Sequence, residues 1–196
     1  MKRKAPLTNL GYGVKYIYVI QMVIGYACFT RVKTGRIHLG ELMWGQMNNT
    51  LLREADLIKD IDAIVKLWYQ VSLKCHDFVP AEYWRQAEND MRNIYLPNAE
   101  TTVAEQDDNI IGFMSLVGNT VAAIFVVGSA QGQGVGSMLL KQAFIDHTAL
   151  DLKVYKLNEQ AVTFYKKHGF IIQSEQTDEN TKQREYVMLW ENKEIL

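Results

Sequence analysis

The sequence is short of cysteine, of net charge and of long apolar runs, and each shortage excludes a class of protein. Cys28 and Cys75 are its 2 cysteines, and they form neither a CxxC pair nor a disulfide framework, which suits a reducing compartment. Lys and Arg total 21 against 22 Asp and Glu, so no overall electrostatic field favours nucleic acid or an acidic membrane surface. None of the 4 histidines shows the HExxH spacing of a helical zinc site. We therefore expect neither nucleic acid nor a metal ion as a partner.

The first 46 residues differ in composition from the rest of the chain. An apolar run from Tyr16 to Phe29 is followed by a basic segment from Arg31 to Arg36. The run is shorter than the about 20 residues of a transmembrane helix, and no small-residue cleavage site of a secretory signal follows it. A membrane anchor, a signal and a poorly integrated extension, with Met47 as the working start, remain open. We expect the extension, and hence one functional domain over residues 47–196 in the cytoplasm.

Beyond Asn48, strand-like and helix-like segments alternate, which predicts an α/β (α+β) fold with both faces of its sheet covered. Val121–Val127 is continuously apolar, as a central strand would be. A polar cluster at Asp107–Asn109 predicts a hairpin turn. The predicted strands are Asn49–Arg53, Thr101–Glu105, Ile110–Val117, Val121–Val127, Leu150–Tyr155, Phe170–Ser174 and Glu185–Trp190.

Apolar residues at helical spacing predict four helices. The first follows an Asp56 cap, and the second begins at Pro80 and ends near Pro97. The third follows a glycine-rich segment, and the fourth ends at Gly169. Their apolar faces are, in order, Leu57, Ile61, Ile64, Val65 and Trp68; Trp84, Ala87, Met91 and Ile94; Val135, Met138, Leu139 and Ala143; and Ala161, Phe164, Tyr165 and His168.

The segment Gln131–Ser137 joins the apolar strand to the third helix and contains Gly132, Gly134 and Gly136. The first turn of a helix presents unpaired N–H groups and the positive end of the helix dipole, which suits a pyrophosphate where glycine leaves the backbone accessible. A P-loop would need Lys and then Ser or Thr after the last glycine, and a dinucleotide fingerprint would need GxGxxG; neither is present. A simple glycine-rich turn is the alternative.

Two motifs resemble those of the GNAT superfamily of N-acetyltransferases. Gln131-x-x-Gly134-x-Gly136 is similar to its Gln/Arg-x-x-Gly-x-Gly/Ala signature, and the segment Asn158–Phe170 is similar to its Asn-x-x-Ala-x-x-Phe-Tyr-x-x-x-Gly-Phe helix. Gly128 stands where many members have Pro. The resemblance implies a mixed, mostly antiparallel sheet flanked by about four helices. It implies an enzyme that transfers an acetyl group from acetyl-CoA to a primary amine by direct attack, without a metal, as a monomer or homodimer.

The resemblance also implies roles for individual residues. Tyr165 would protonate the leaving sulfur of CoA, and a main-chain N–H near Val126 would face the thioester oxygen. The loop His76, Asp77 and Phe78 would contact the acceptor, against the alternative of a polar loop with a local Asx turn. Asn158 would contact the pantetheine arm or simply cap its helix. The residues expected to bind acetyl-CoA are Phe125, Val126, Val127, Gln131, Gly132, Gln133, Gly134, Val135, Gly136, Ser137 and Asn158.

Some features of the reaction stay open from sequence. No acidic residue lies in Val121–Val127, so the general base is either a water relay or a carboxylate from elsewhere, such as Asp77. Nothing near Cys75 beyond Lys74 and His76 indicates a lowered thiol pKa, so we expect it to be structural. A non-catalytic acyl-CoA sensor and a membrane-tethered acyltransferase are the alternative functions. The identity of the acceptor cannot be read from these residues.

Overall fold

The computed structural model describes residues 49–192, which form one seven-stranded sheet with helices on both faces. Three expectations concern residues outside this range. They are the expectations for the apolar run Tyr16–Phe29, for a separate segment over residues 1–46 and for a start at Met47. Within the described residues, no helix is long and apolar enough to cross a membrane. The strands are β1 (Thr50–Glu54), β2 (Glu100–Gln106), β3 (Asn109–Val117), β4 (Thr120–Val126), β5 (Ala149–Tyr155), β6 (Ile171–Thr177) and β7 (Arg184–Glu191).

Four α-helices connect these strands within the described range. The caps follow local chemistry: Asp56 accepts a hydrogen bond from the backbone N–H of Ile58 at 3.1 Å, as predicted, and Gly169 ends the last helix with φ +89°. Such a positive φ is rarely adopted by other residues. The helices are α1 (Leu57–Cys75), α2 (Ala81–Asp90), α3 (Val135–Asp146) and α4 (Glu159–Lys167).

The strand order is β1-β2-β3-β4-β5-β7-β6, and every neighbouring pair is antiparallel except β4 and β5. The mixed, mostly antiparallel sheet implied by the resemblance is therefore confirmed. β4 lies fourth of seven, and Val121 and Ile124 are completely buried. The continuously apolar segment thus forms the central strand, as predicted.

Each face of the sheet has its own hydrophobic core. One core contains Ile64, Trp68 and Trp84 from α1 and α2, together with Phe125 of β4 and Tyr155 of β5. The other contains Leu139 and Leu140 from α3 and Phe164 and Tyr165 from α4, together with Val126 of β4 and Val154 of β5. Neighbouring residues of a strand point to opposite faces, so β4 and β5 contribute to both cores.

The predicted apolar face of the second helix is wrong at Ile94. α2 ends at Asp90, and a π-helical turn over Met91–Tyr95 is followed by a 3₁₀ turn over Leu96–Asn98. A wider turn changes which side chains face the core, so Ile94 is 47% exposed and Leu96 is buried instead. Pro97 lies within the 3₁₀ turn rather than ending the helix.

Candidate active site

The sheet opens between its two central strands, β4 and β5. These two strands run parallel and pair at one position, where Thr120 lies opposite Asp151. The Thr120 hydroxyl donates to the Asp151 carboxylate at 3.0 Å, and the Asp151 N–H donates to the carbonyl of Asn119, also at 3.0 Å. These bonds close the gap at the start of β4. Among the described residues, no further pairing of β4 with β5 follows Thr120, so the hydrogen-bonded ladder between the two strands has a gap toward Val126.

The backbone of Val126 faces this gap. The N–H of Val127 donates to the carbonyl of Ile111 on β3 at 2.8 Å, and Val126 lies opposite Gly112 in the register. Successive residues of an antiparallel strand alternate in the direction of their hydrogen bonds, so the N–H and C=O of Val126 turn away from β3. Consistently, the carbonyl of Val126 accepts from the side-chain amide of Gln131 at 2.8 Å.

The glycine-rich segment leads into the N-terminus of α3. Gly132 and Gly134 have φ of +79° and +85°, and Gly134 is the N-cap residue, without a capping side chain. The N–H groups of Val135, Gly136 and Ser137 lie in the first turn of α3, where no earlier helical carbonyl is available to accept from them. The predicted loop-to-helix geometry is therefore present. Gly128, in contrast, would accept a Cβ without meeting any atom within 4 Å, so the departure from Pro at this position has no steric cause.

His168 forms a hydrogen bond with Ser137 in the first turn of α3. The sequence predicted only that this histidine lies on the apolar face of the fourth helix. His168 Nδ1 lies 2.9 Å from the carbonyl of Phe164, which can only accept, so Nδ1 carries the hydrogen. His168 Nε2 lies 3.0 Å from the Ser137 hydroxyl and accepts from it in the neutral ring. Burial lowers the pKa of His168 and favours that neutral form. The Ser137 hydroxyl is thus bound to α4, while its N–H stays in the first turn of α3.

Tyr165 is completely buried, as its position on the helical face predicted. Its ring packs between Phe164 and Phe170 at centroid distances of 5.1 and 5.5 Å. Among the described residues its hydroxyl has no hydrogen-bond partner. Burial raises the pKa of Tyr165 above its usual value, so the phenol is protonated at neutral pH. A buried phenol hydroxyl without a hydrogen-bond partner is unfavourable unless a ligand or a solvent molecule forms a hydrogen bond with it.

Asn158 caps α4, and its side-chain oxygen accepts from the N–H of Ala161 at 3.2 Å. Its amide nitrogen lies 3.5 Å from His76 Nε2. His76 is completely buried and stacks on Trp84 at a centroid distance of 5.2 Å. The imidazole of His76 thus lies in an aromatic cluster rather than in an exposed polar loop, and its contact with the acceptor stays a prediction. The contact of Asn158 with pantetheine stays a prediction.

The other residues of the α1–α2 loop differ in exposure. Asp77 is exposed, whereas Phe78 is half-buried and its carbonyl accepts from the side-chain amide of Gln183 at 3.2 Å. Cys75 is half-buried, and burial raises the pKa of its thiol. This agrees with the structural role expected for Cys75. The loop thus offers one exposed carboxylate and an aromatic residue whose backbone carbonyl is bonded to the β6–β7 loop.

Comparison with known proteins identifies the family to which this chain belongs. The family described as "Acetyltransferase (GNAT) domain" matches residues 97–172. The chain is 34% identical over 141 residues to the peptidyl-lysine N-acetyltransferase YiaC of Escherichia coli, covering 71% of this chain and 96% of YiaC. The chain belongs to the GNAT family of acetyltransferases. It transfers an acetyl group from acetyl-CoA.

Further GNAT proteins share the sequence and the fold. The peptidyl-lysine N-acetyltransferase YjaB of E. coli is 38% identical over 110 residues, which covers 56% of this chain and 74% of YjaB. The solution structure of apo YjaB superposes with a TM-score of 0.64 at 30% identity, covering 72% of this chain and 97% of that one. The PaiA N-acetyltransferase of Thermoplasma acidophilum, solved with coenzyme A, shares the fold with a TM-score of 0.59 at 16% identity, over 73% of this chain and 99% of that one.

The described residues fit acetyl-CoA as the acyl donor. The gap at Val126, the glycine-rich turn into α3 and the buried hydroxyl of Tyr165 are the features that an acyl thioester with a pyrophosphate requires. Sequence reasoning missed the link between His168 and Ser137, because a histidine on an apolar face has no spacing signal. It also missed the hydrogen bond from Tyr155, the last residue of β5, to Asp178 in the β6–β7 loop, because the two residues are far apart in the sequence.

Proposed function

We propose that this chain acetylates the ε-amine of lysine side chains in peptides or proteins. The two E. coli relatives, YiaC and YjaB, are both named peptidyl-lysine N-acetyltransferases, and the match to YiaC spans 96% of that protein. The observation that carries the proposal is the interrupted pairing of β4 with β5, which leaves the backbone of Val126 turned toward a position that no strand occupies. We propose that the donor is held on the α3–α4 side of this position and that the acceptor arrives from the α1–α2 side.

The glycine-rich segment would hold the pyrophosphate of acetyl-CoA. Its donors are the first-turn N–H groups of Val135, Gly136 and Ser137, and the α3 dipole adds to their attraction for an anion. The positive φ of Gly132 and Gly134 brings this backbone close to a ligand without an intervening Cβ. Gln131 and Gln133 would also lie beside the pyrophosphate in this loop. The pantetheine arm would run along Phe125, Val126 and Val127. Asn158 would contact the same arm.

Acetyl-CoA supplies an activated thioester whose carbonyl carbon a neutral amine can attack. The N–H of Val126, turned to the gap, would donate to the thioester oxygen as negative charge develops on it. The hydroxyl of Tyr165 would donate its proton to the departing sulfur. We assign the removal of the amine proton to water, because β4 carries no acidic side chain and Asp77 is exposed.

A matched pair of peptides tests the proposal. One peptide carries a single lysine between blocked termini, and the other has arginine at the same position. The full chain with acetyl-CoA should release CoA and add one acetyl mass to the lysine peptide alone. Acetylation only of free N-termini or of small amines would contradict the proposal. Sedimentation of the same preparation would distinguish monomer from homodimer, and cell fractionation would test the cytoplasmic location.

A further inference from the structure

A half-buried carboxylate lies at the end of β5, on the face of the sheet opposite Tyr165. The hydroxyls of Tyr155 and Thr181 donate to Oδ2 of Asp178 at 2.9 and 2.6 Å, and the N–H of Asn180 donates to Oδ1 at 3.0 Å. All of these donors are neutral. Burial raises the pKa of Asp178, but hydrogen bonds from Thr181, Asn180 and Tyr155 outweigh it and hold that pKa below its usual value. The carboxylate is therefore charged at neutral pH.

No cation of the described chain neutralises Asp178, whereas Glu175 and Glu185 of the β6–β7 hairpin each have a cationic neighbour. Glu175 pairs with Lys156 at 3.1 Å and with Arg184 at 2.9 Å. Glu185 is buried, and Lys153 lies 3.6 Å from it. Among residues 49–192, no Lys, Arg or His forms an ion pair with Asp178. A fixed, partly dehydrated negative charge without a counter-ion favours a cationic ligand.

An aromatic cluster adjoins this charge through Tyr155, whose hydroxyl donates to it. The ring of Tyr155 contacts Phe78 edge-on at a centroid distance of 5.5 Å. The hydroxyl of Tyr83, at the start of α2, is buried and has no hydrogen-bond partner among the described residues. Burial, and next the nearby charge of Asp178, raise the pKa of Tyr83. Aromatic faces attract organic cations, and a phenol oxygen without a partner can accept a hydrogen bond from an ammonium group.

The position of the cluster relates it to the gap in the sheet. Tyr155 is the last residue of β5 and shares a core with Phe125 of β4, the residue before Val126. The amide of Gln183 donates to the carbonyl of Phe78 at 3.2 Å, which joins the β6–β7 loop to the α1–α2 loop. Both loops therefore meet around Asp178, on the face from which an acceptor would enter the gap.

We infer that Asp178, together with Tyr83 and Tyr155, binds the charged amine of the acceptor. This inference rests on the proposed function, since a lysine side chain is an alkylammonium ion at neutral pH, with a reference pKa of about 10.4. Until it loses a proton to water and becomes the nucleophile, the ammonium group would donate to the Asp178 carboxylate and the Tyr83 oxygen, and the methylene chain would lie along the aromatic rings. The site thus selects an extended, singly charged alkyl amine and disfavours an acidic or apolar side chain.

Asp178 also supports the turn between β6 and β7, so the test needs a readout that loss of the turn alone would not change. Calorimetry on the full chain saturated with a CoA analogue that lacks the thiol gives binding without turnover. The probes are the blocked lysine peptide and the same peptide with norleucine in place of lysine. We expect lysine to bind about 10- to 100-fold more tightly, the range of a charged hydrogen bond. Asp178→Asn should reduce this preference to within about twofold.

Glu179→Gln is the matched control, because it removes an exposed carboxylate from the neighbouring position of the same loop. It should keep the lysine preference. Equal preferences in both variants, or equal loss of both peptides in Asp178→Asn, would overturn the inference. If that variant does not fold, Tyr83→Phe decides: we expect the preference to fall about threefold or more, and an unchanged ratio overturns the inference. Acetylation by the wild-type chain reports on the proposed function separately, so each idea can fail without the other.

Discussion

Replacement of Tyr165 by Phe should change stability and activity in opposite directions. The Tyr165 hydroxyl is completely buried and has no partner among the described residues, while its ring packs against Phe164 and Phe170. Phe keeps the packing and removes only the hydroxyl. The free enzyme therefore loses a group that nothing in the described chain satisfies. The reaction, in contrast, loses its proposed proton donor to CoA.

The size of each effect follows from burial and from acid–base strength. A buried polar group without a partner costs about 1–3 kcal/mol, so Tyr165→Phe should stabilise the free chain by about 1–2 kcal/mol. For a protein of this size, that raises Tm by about 2–8 °C. A phenol with a reference pKa of about 10 can donate to a thiolate whose conjugate acid has a pKa near 8.5. Loss of a positioned acid should lower kcat about 10²- to 10⁴-fold.

The assay combines thermal unfolding without ligand with steady-state kinetics under conditions where chemistry limits the rate. Acetyl-CoA affinity should change little, since the hydroxyl acts on the departing sulfur. Tyr69→Phe is the control, because Tyr69 lies on α1 in the other core and undergoes the same chemical change. If Tyr165→Phe lowered Tm, the hydroxyl would have a partner in the free enzyme. Retention of full kcat would refute its role as the acid.

Three further predictions address the cofactor loop, the domain boundary and an internal ion pair. Gly134→Val should weaken CoA binding about tenfold or more in calorimetry, since φ is +85° there, whereas Gly128→Val should bind normally. A chain starting at Met47 should match the full chain in Tm and CoA affinity, and insolubility would refute this boundary. The hydrogen bond from Arg53 lowers the pKa of Asp60, so Asp60→Asn should cost about 1–3 kcal/mol at pH 7. That cost should shrink below about pH 4 in denaturant titrations, because a depressed pKa stabilises only above the folded-state pKa.

The sequence predicts best where one local rule decides the outcome. Asp56 caps α1 because its side chain reaches the N–H of Ile58, and the turn after β4 needs glycine because Gly134 has a positive φ. Tyr165 is buried because the helical period of α4 places it beside Ala161 and Phe164. None of these three results depends on a distant part of the chain.

Prediction fails where tertiary contacts override the local period. The π-helical turn at Met91–Tyr95 exposes Ile94, and no residue of that segment signals the change of period. His76 reads as part of a polar loop, yet Trp84 and Tyr155 enclose its ring. The sequence analysis did not single out Asp178, because its partner Tyr155 lies on a distant strand. Chain folding alone brings these groups together.

The opening in the sheet explains why the glutamine of the Gln131 motif matters beyond the glycines. Where β4 leaves β5, the backbone groups of Val126 lose the neighbouring strand that would otherwise satisfy them. The side chain of Gln131 donates to the Val126 carbonyl at 2.8 Å and so replaces that strand for the acceptor group alone. The N–H of the same residue keeps its direction into the gap, where an acyl oxygen can accept from it. Gln131 therefore bonds to the carbonyl of Val126 and leaves the N–H of Val126 for the role that we propose in the reaction.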